Sequence, residues 1–356
     1  MSVSFIILAD DGGGGPQSTK DIISSLELYQ VNANYYVFRK NSGIIGLFVD
    51  VYNLLKYLWI LDNKSIVFNS AGLFTGLLLS FFLCLTNIFA KKIRLIQIFH
   101  NRVKRDDKGF LHNLCRQFIL EIILLSSSRF VSVSKGVGNE ICSQTWFSTR
   151  KLQRYGLTIY NPTRKLESDH INSNPYEFDG KVILGIGRLC AQKDFGSLIE
   201  AHSIFSKIDP TCNLVIVGEG EDKDYLQKLA SHSNNPDRIH FWGYDTDIAK
   251  HYKYADVFIL SSIHEGFGLV LVEAMNAKLP VISTNCPYGP EEILDYGKYG
   301  KIVNVGDSQA MSDAVQNLFE IKKFEKDLII DSAYSRSLEF SPSSIGKQYK
   351  DLIDSL

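Results

Sequence analysis

Two carboxylates and two glycines lie close together in the segment HEGFGLVLVEAMN, residues 264–276. A carboxylate can accept paired hydrogen bonds from vicinal hydroxyls, so Glu265 and Glu273 are candidates for binding a sugar and a ribose. Gly266 and Gly268 would let the backbone amides at the start of a helix face an anion. By its place in that helix alone, Glu273 would be a surface glutamate. Together these groups predict a site for a nucleotide sugar.

A second segment with suitable chemistry is GIGRLCAQKDF, residues 185–195. It begins in a predicted strand, so Arg188 and Lys193 would lie on a loop at the carboxyl end of that strand. A guanidinium binds phosphate oxygens in pairs and an ammonium binds them as a point charge, so these two side chains suit a diphosphate. Gly185 and Gly187 resemble the start of a dinucleotide-binding fingerprint, but its third glycine is absent. A solvated loop with a salt bridge is the alternative interpretation.

The first half of the chain offers two further candidates. His100 ends the predicted strand IRLIQIFH, where it would face a ligand cleft, although a lone histidine at a strand end is usually structural. Four glycines, residues 12–15, follow the first predicted strand and precede a helix expected to start near Gln17. Such a turn brings backbone amides close to a ligand, and the candidate positions are Gly13, Gly14 and Gly15. A plain flexible turn explains the same glycines, since neither GxxxxGK[ST] nor a useful GxGxxG is present.

Short β-rich runs alternate with helical segments along almost the whole chain. The predicted strands are VSFIILA, NYYVFRK, SIVFNS, IRLIQIFH and FVSVS in the first half, and KVILGIG, NLVIVGEG, RIHFWGY, DVFILSS, PVISTN and GKIVNV in the second. This alternation predicts parallel sheets with helices on both faces. A polar, aperiodic stretch, residues 160–180, is typical of a linker between the halves. We therefore expect an α/β protein with two Rossmann-like domains facing across a cleft, and a ligand at the carboxyl ends of the strands.

Length and composition are those of a globular protein, with 356 residues, 45% hydrophobic and 22% charged. The net charge of −1 is unevenly spread, because the first 180 residues carry 20 Lys and Arg against 14 Asp and Glu, and the rest carry 18 against 25. A basic first half indicates an anionic partner, unless the asymmetry is chance. The six scattered cysteines have no metal-ligand spacing and are typical of reduced core residues in a cytosolic protein. The start, MSVSFIILADD, is not expected to be a cleavable signal peptide.

One segment complicates a cytosolic assignment, since residues 65–90 include the apolar run AGLFTGLLLSFFLCLTNIFA. The run is long enough to span a bilayer, and Lys91, Lys92 and Arg94 follow it directly. It also lies between two predicted strands, where the crossover helix of a βαβ unit would be. We expect Leu73–Ala90 to be such a helix, either buried or in contact with a membrane surface, with a full span as the alternative.

Seven residues separate Glu265 from Glu273, which is the EX7E signature of retaining glycosyltransferases with the GT-B fold. The segments EGFGLVLVEAM, GIGRLCAQKDF and STNCPYGPEEIL closely resemble family 4 of these enzymes, and VSVSKGV and IYNPT in the first half are similar to it too. The resemblance covers most of the chain. It implies an acceptor-binding domain (1–163), a nucleotide-sugar-binding domain (164–338) and a C-terminal helix (339–356) that returns to the first domain.

This resemblance assigns roles to individual residues. It implies that Arg188 and Lys193 hold the donor diphosphate, while Glu265 contacts the sugar and Glu273 the ribose. His100 matches a first-domain histidine beside the transferred sugar, and the four glycines stand where the family has a loop near donor and acceptor, although four glycines and a proline depart from its commoner forms. The implied catalytic residues are His100, Arg188, Lys193 and Glu265, and the implied donor-binding residues are Gly187, Arg188, Lys193, Gly266, Phe267, Gly268, Leu269 and Glu273.

The implied reaction moves a sugar from a nucleoside diphosphate to an acceptor hydroxyl with retention of the anomeric configuration. The expected acceptor is a glycan or lipid-linked glycan of bacterial surface polysaccharide synthesis, such as O-antigen, capsule or lipopolysaccharide. The expected location is cytoplasmic, peripheral on the anionic inner face of the cell membrane, and no metal, cofactor or nucleic acid is expected. The alternatives are a non-catalytic membrane-associated scaffold with the same fold and a nicotinamide-dependent oxidoreductase, for which the third glycine and a suitably placed acidic residue are lacking.

Overall fold

The structure is a computed structural model that describes residues 3–8, 14–38, 44–61, 65–88, 93–101, 109–163 and 174–356. The chain divides into two compact units. The first consists of residues Met1–Pro162 and Pro342–Leu356, and the second consists of residues Thr163–Ser341. Of the predicted linker, residues 164–173 lie outside the described residues.

The first unit contains a parallel sheet with the strand order β2-β1-β3-β4-β5-β6. Its strands are β1 (Val3–Leu8), β2 (Ala33–Phe38), β3 (Ile66–Asn69), β4 (Arg94–Phe99), β5 (Arg129–Ser132) and β6 (Gly156–Thr158). Its helices are α1 (Gly14–Glu27), α2 (Ile44–Ile60), α3 (Leu73–Ile88), α4 (Phe110–Ser126), α5 (Lys135–Ser143) and α6 (Thr149–Tyr155). Each helix or helix pair connects strands that run in the same direction, which is the topology of a Rossmann-like sheet.

Helix α1 begins at Gly14, ahead of the start predicted near Gln17. Gly14 and Gly15 are therefore helical rather than part of a preceding turn, whereas Gly12 and Gly13 lie outside the described residues. Pro16 falls in the first helical turn, where a missing N–H costs no intrahelical hydrogen bond. For this reason the helix can start before the proline instead of after it.

The long apolar segment forms α3, which connects the neighbouring parallel strands β3 and β4. This is the crossover position predicted from the flanking strands. Ala90, Lys91 and Lys92 lie outside the described residues. Within the part of the chain that the structure describes, no helix is both long enough and apolar enough to cross a membrane.

The second unit contains a parallel sheet with the strand order β12-β11-β10-β7-β8-β9. Its strands are β7 (Val182–Ile186), β8 (Asn213–Val217), β9 (Ile239–Gly243), β10 (Val257–Leu260), β11 (Val281–Thr284) and β12 (Lys301–Val303). Its helices are α7 (Phe195–Phe205), α8 (Lys223–Ser231), α9 (Ala249–Tyr254), α10 (Leu269–Asn276), α11 (Pro290–Ile293), α12 (Ser308–Glu320) and α13 (Lys323–Ser337). All residues of β7, β8, β10 and β11 are buried, as expected for parallel strands covered on both faces.

The last helix, α14 (Pro342–Asp354), belongs to the first unit and packs against α1. The two helices approach closely at Gly346, where a Cβ atom would lie 2.3 Å from the carbonyl oxygen of Ser25. Tyr349 is fully buried, with its ring edge-on to Phe68 at a centroid distance of 6.0 Å. The first unit thus includes a helix whose residues follow the whole second unit in the chain.

The predicted α/β class with two Rossmann-like sheets is confirmed. Every strand predicted from the sequence is present, and one strand, β6, was not predicted. It has only three residues, Gly156–Thr158, and none of them is fully buried. A strand this short and this exposed at the edge of a sheet has no recognisable hydrophobic pattern.

Candidate functional site

The site lies where the connections of the second sheet change direction. Strands β7 and β10 are neighbours, but β7 is followed along the sheet by β8 and β9, and β10 by β11 and β12 on the other side. In parallel α/β sheets a crevice forms at such a point, beyond the carboxyl ends of the strands. Arg188 and Lys193 follow β7, and Glu265 follows β10. The two sequence segments that predict the site therefore follow neighbouring strands and meet at the same edge of the sheet.

Lys193 and Glu265 form a largely buried charge pair at this point. The Lys193 Nζ atom lies 2.5 Å from Glu265 Oε1, and the two side chains are 17% and 9% exposed. Ser262 donates its hydroxyl to the same carboxylate oxygen at 2.7 Å. A Cβ atom at Gly187 would lie 3.3 Å from the Lys193 side chain, so the glycine leaves room for the lysine to reach the carboxylate. The structure brings these predicted residues into direct contact.

Hydrogen bonds fix the β7 loop against the β10 loop. The amide of Ile263 donates to the carbonyl of Gln192 at 2.8 Å, and the Gln192 side-chain amide donates to the carbonyl of His264 at 2.9 Å. The hydroxyl of Ser261 donates to the carbonyl of Lys193 at 2.7 Å. The lysine and the glutamate are therefore held by their backbones as well as by their own contact.

The loop after β11 supports Glu265 from the other side. Glu265 donates its amide to the carbonyl of Pro287 and accepts from the amide of Tyr288, both at 2.8 Å. Gly289 follows with φ +100°, and a Cβ atom there would lie 2.1 Å from the carbonyl oxygen of Phe267. Only glycine fits this position, because both the backbone conformation and the close approach exclude a side chain.

The amino end of α10 has no side-chain cap. Gly268, with φ +104°, precedes the first helical residue, Leu269, and provides no side-chain cap. Phe267 is buried, with its ring edge-on to Phe340 at 5.4 Å, so its side chain belongs to the core and only its backbone faces the loop. Gly266 is buried as well. First-turn amides without a side-chain cap are suitable donors to phosphate oxygens.

Glu273 is a buried residue, which corrects the surface position that its place in the helix alone indicates. Its exposure is 6%, and its Oε2 atom accepts a hydrogen bond from the Tyr252 hydroxyl at 3.1 Å. Burial raises the pKa of Tyr252, and the neighbouring Glu273 carboxylate raises it further, so the phenol stays protonated as a donor. A buried carboxylate is costly unless it has partners, and the hydrogen bond from Tyr252 of α9 is one such partner for Glu273.

Arg188 is separate from the buried pair. Its guanidinium Nε lies 3.3 Å from Glu221 Oε2, and both side chains are 59% exposed. An exposed pair of this kind contributes about 0–1 kcal/mol to stability. The guanidinium can therefore exchange Glu221 for another anion at small cost.

His100, in the first unit, lies at the carboxyl end of β4. Its Nε2 atom is 2.6 Å from the hydroxyl of Ser70 and 3.5 Å from that of Thr19, and the two hydroxyls are 2.5 Å apart. Its Nδ1 atom is buried and has no hydrogen-bond partner among the described residues. Burial lowers the pKa of His100 to about 4, so the imidazole is neutral at pH 7. Because Thr19 is on α1 and Ser70 follows β3, three elements converge on this histidine.

Among the residues that the structure describes, no three His, Cys, Asp or Glu side chains are grouped as a metal ion would require. The groups that the second unit offers to a diphosphate are the Lys193 ammonium, the Arg188 guanidinium and the amides at the start of α10. These are the donors expected for an anion bound by protein groups.

Residues 168–333 match the family model described as glycosyl transferases, group 1. The second unit carries the sequence pattern of that family. The match extends over nearly all of the unit, which runs from Thr163 to Ser341, and it includes both segments that form the site.

Curated relatives are similar over a comparable region. The chain is 30% identical over 177 residues to the lipopolysaccharide core biosynthesis glycosyltransferase LpsE of Rhizobium meliloti, covering 50% of this chain and 51% of that protein. It is 25% identical over 222 residues to the N-acetylgalactosamine-N,N'-diacetylbacillosaminyl-diphospho-undecaprenol 4-alpha-N-acetylgalactosaminyltransferase of Campylobacter jejuni, covering 62% and 58%. The chain thus spans about half the length of the curated relatives it matches.

Solved structures are similar over the whole chain. The crystal structure of Anabaena Alr3699/HepE in complex with UDP-glucose superposes with a TM-score of 0.76 at 18% identity, and the comparison covers 100% of both chains. At this identity the likeness concerns the fold, which is that of the two-domain GT-B type expected from the sequence.

Several residues of the site were not predicted from the sequence, among them Ser262, Tyr252, Ser70 and Thr19. Ser262 could have been found, because it is the second residue after an apolar strand and stands three residues before Glu265. Tyr252 is 21 residues from Glu273 along the chain, and no local pattern connects them. The Thr19–Ser70–His100 cluster likewise depends on how three separate elements pack.

Proposed function

We propose that the protein is a retaining glycosyltransferase that moves a sugar from a nucleoside diphosphate to an acceptor hydroxyl. The observation that carries this proposal is the buried Lys193–Glu265 pair at the point where the second sheet changes direction. It combines a cation for the diphosphate with a carboxylate for hydroxyls, and the amino end of α10 in the same loop has no side-chain cap. The family match of residues 168–333 supports the same activity.

The diphosphate would bind to Lys193, Arg188 and the first-turn amides of α10. As the bond to the sugar breaks, negative charge grows on the leaving diphosphate and positive charge on the anomeric carbon. Groups fixed in advance toward that growing charge lower the barrier, and removal of one such donor typically costs about 3–4 kcal/mol. Lys193 is already oriented by Glu265, and Arg188 needs only to leave Glu221.

The two carboxylates would bind hydroxyls at the two ends of the donor. Glu273 lies on α10, after the first-turn amides that are assigned to the phosphate, and it would accept hydrogen bonds from the ribose. Glu265 is beside the Lys193 ammonium and would contact the transferred sugar. Neither carboxylate needs to act as nucleophile or acid, in contrast to the carboxylate pair of a glycosidase.

Retention would follow from attack on the same face as the departing phosphate, with a donor phosphate oxygen accepting the proton of the acceptor hydroxyl. His100 would act as a neutral hydrogen-bonding group beside the sugar, since its lowered pKa keeps it uncharged at neutral pH. The proposal includes no cofactor or metal, as the resemblance to family 4 implies.

The proposed acceptor is a lipid-linked glycan of bacterial surface polysaccharide synthesis, used by a cytoplasmic protein bound peripherally to the membrane. Support comes from the names of relatives, one assigned to lipopolysaccharide core biosynthesis and another to a diphospho-undecaprenol-linked glycan. The basic, apolar first half of the chain is compatible with such an acceptor.

The test is incubation of the purified protein with a panel of nucleotide sugars, followed by assay of donor hydrolysis and of transfer to membrane lipid extracts. We expect one donor to be turned over, with the product linkage retaining its anomeric configuration by NMR. Arg188→Ala should slow turnover roughly 10²-fold or more without lowering the melting temperature, because Arg188 is exposed.

Lys278→Ala is the matched control, because the Lys278–Asp331 pair has the same length of 3.3 Å and a similar exposure. It should leave turnover unchanged. If nucleoside diphosphates bind but no donor in the panel is hydrolysed or transferred, the non-catalytic scaffold is the correct interpretation. If Arg188→Ala and Lys278→Ala are equally active, the diphosphate site is misassigned.

A further inference from the structure

Three consecutive helices of the first unit expose an unusual number of large apolar side chains. The exposed apolar residues are Phe48, Val49, Tyr52, Leu55, Trp59 and Ile60 on α2, Phe74 and Phe81 on α3, and Phe110, Leu111, Phe118, Ile122 and Leu125 on α4. Scattered exposed apolar residues are ordinary, but a continuous group of this size marks an interaction surface.

The exposed residues form stripes because of their helical spacing. On α2, Phe48, Tyr52, Leu55 and Trp59 recur at intervals of four, three and four residues, so they share one side of the helix. The opposite side of α2 carries the buried residues Leu54 and Leu58. An amphipathic pattern therefore exists within α2, but its outward side is aromatic and aliphatic instead of polar.

The three helices lie on one face of the first sheet. Strand order shows that the connections β2→β3, β3→β4 and β4→β5 all cross the sheet in the same direction, and right-handed crossovers then place α2, α3 and α4 on the same side. Helices α2 and α3 share one hydrophobic cluster, and α3 packs against α4. Their outward sides thus form one surface, which we call the apolar face.

The charged residues of these three helices are few, and the acidic ones are buried. The helices carry four charged residues, of which Asp50 and Glu121 are buried, while Lys56 is exposed and Arg116 is partly exposed. Glu121 is engaged by the loop before α6, accepting hydrogen bonds from the amide of Phe147 at 3.1 Å and the hydroxyl of Ser148 at 2.6 Å. Arg116 precedes the buried Leu120 and Ile123 by four and seven residues, so it lies on the inward side of α4. The apolar face therefore presents the Lys56 ammonium, and these three helices, all of which lie within the described residues, add no exposed carboxylate to it.

From these observations we infer that the apolar face is the surface by which the protein binds an anionic lipid bilayer, with the α2 stripe inserted at the level of the headgroups. Exposed tryptophan, tyrosine and aliphatic side chains, with a lysine beside them and no exposed carboxylate from these helices, are the chemistry that the bilayer interface selects. A soluble protein partner would call for a polar rim around the apolar residues. The inference deepens the peripheral location proposed above, but extends it from α3 alone to all three helices.

The first experiment uses Trp59 as a probe of insertion. Trp59 is 55% exposed on the α2 stripe, and the other two tryptophans are Trp146 and Trp242. In a Trp146→Phe/Trp242→Phe background, vesicles of phosphatidylcholine with phosphatidylglycerol should shift Trp59 emission to shorter wavelength. Bromine-labelled acyl chains should quench that emission. Unchanged emission with both vesicle types overturns the inference, provided that circular dichroism shows a folded protein.

The second experiment measures co-sedimentation with the same vesicles in the native tryptophan background. Tyr52→Ser/Trp59→Ser removes two exposed rings and should weaken vesicle binding by roughly tenfold or more. Phe324→Ser is the matched control, since Phe324 is an aromatic residue of the second unit that is 72% exposed. High salt should release part of the wild-type protein, because the Lys56 ammonium contributes to binding.

Three outcomes contradict the assignment: equal binding of the double variant and the wild type, an equal loss in Phe324→Ser, or conversion of a stable dimer to a monomer by Tyr52→Ser/Trp59→Ser with no change in vesicle binding. The last result would assign the apolar face to a second copy of the chain. Because no nucleotide sugar is present in these assays, failure here leaves the proposed transfer reaction intact. Failure of sugar transfer would likewise leave the lipid assay interpretable.

Discussion

Removal of either partner of the Lys193–Glu265 pair should destabilise the second unit, and removal of both should cost less than the sum. The pair is 2.5 Å long and its side chains are 17% and 9% exposed, so each single change leaves a charge that water solvates only in part. Loss of one partner from a buried pair typically costs about 3–5 kcal/mol. The lysine retains some exposure, so we expect about 3 kcal/mol for Glu265→Gln and for Lys193→Met.

The double variant Lys193→Met/Glu265→Gln contains no unpaired charge. The amide oxygen introduced by Glu265→Gln would still accept the hydrogen bond from the Ser262 hydroxyl that Glu265 accepts in the wild type. We therefore expect a coupling free energy of about 2–3 kcal/mol between the two positions, in the upper part of the range of about 0.5–3 kcal/mol found for residues in contact. Transfer activity should be lost in all three variants, because both side chains are assigned to the donor.

The assay is urea unfolding followed by the fluorescence of Trp242, which lies in β9 of the second unit, with Trp59 and Trp146 replaced by phenylalanine. A loss of about 3 kcal/mol should move the midpoint by about 1 M or more, given the usual denaturant dependence of small domains. Purely additive losses would show that the two groups do not interact. In that case the proposed geometry of the site would be wrong, whatever the activity of the variants.

Three further predictions concern separate parts of the structure. Glu273→Ala should weaken the binding of a free nucleoside diphosphate, measured by calorimetry. Tyr252→Phe should weaken it less, by roughly five- to tenfold, because one hydrogen bond to the carboxylate is lost. Equal affinity in both variants and the wild type would remove Glu273 from the ribose site. His100 has a pKa of about 4 in the folded protein against 6.5 for the free side chain, so the unfolded chain binds a proton that the folded protein does not, and stability should fall as the pH drops from 6.5 to 4. His100→Asn should reduce that fall in urea titrations, and an unaltered pH dependence would mean that the ring protonates freely. Gly289→Ala should abolish nucleotide binding and lower the melting temperature strongly. The control is Gly306→Ala, which should cost only backbone strain, because Gly306 has φ +75° but no atom within 4 Å of its Cβ position. A similar loss of melting temperature in both variants would show that close packing at Gly289 is unimportant.

Local patterns were sufficient to predict most of the fold. The buried strands of both sheets are mostly apolar runs bounded by polar residues or glycine. Because helical segments alternate with these runs along the chain, the runs are recognisable as buried parallel strands. Because β3 and β4 pair in parallel, the apolar segment between them must form a crossover connection. Hydropathy alone leaves a membrane span open for that segment, whereas the topology predicted from its neighbours favours a crossover helix.

The site was predictable to the extent that it depends on the ends of strands. Lys193 and Glu265 are 72 residues apart in the chain but follow neighbouring strands, so their contact follows from the sheet order. The burial of Glu273 and its bond to Tyr252 depend on how α9 and α10 pack, which no spacing rule expresses. The pairing of Arg188 with Glu221 likewise depends on side-chain positions in a loop. Helix α1 starts three residues before the position predicted near Gln17, because the first turn of a helix tolerates both glycine and proline.

The position of α14 has a consequence for how the chain folds during its synthesis. Ile345 and Tyr349 are fully buried against the first unit, yet they are made only after the whole of the second unit. Domains generally fold as units while the ribosome is still elongating the chain. Residues 163–341 can therefore reach their final structure while α1 still exposes the surface that α14 will cover. Thr163 donates its amide to the carbonyl of Phe340 at 2.9 Å, so the two ends of the second unit are joined before α14 is complete. The unit synthesised first is consequently the last to be finished, and a nascent chain that stalls near residue 341 would carry a complete second unit attached to an incomplete first unit.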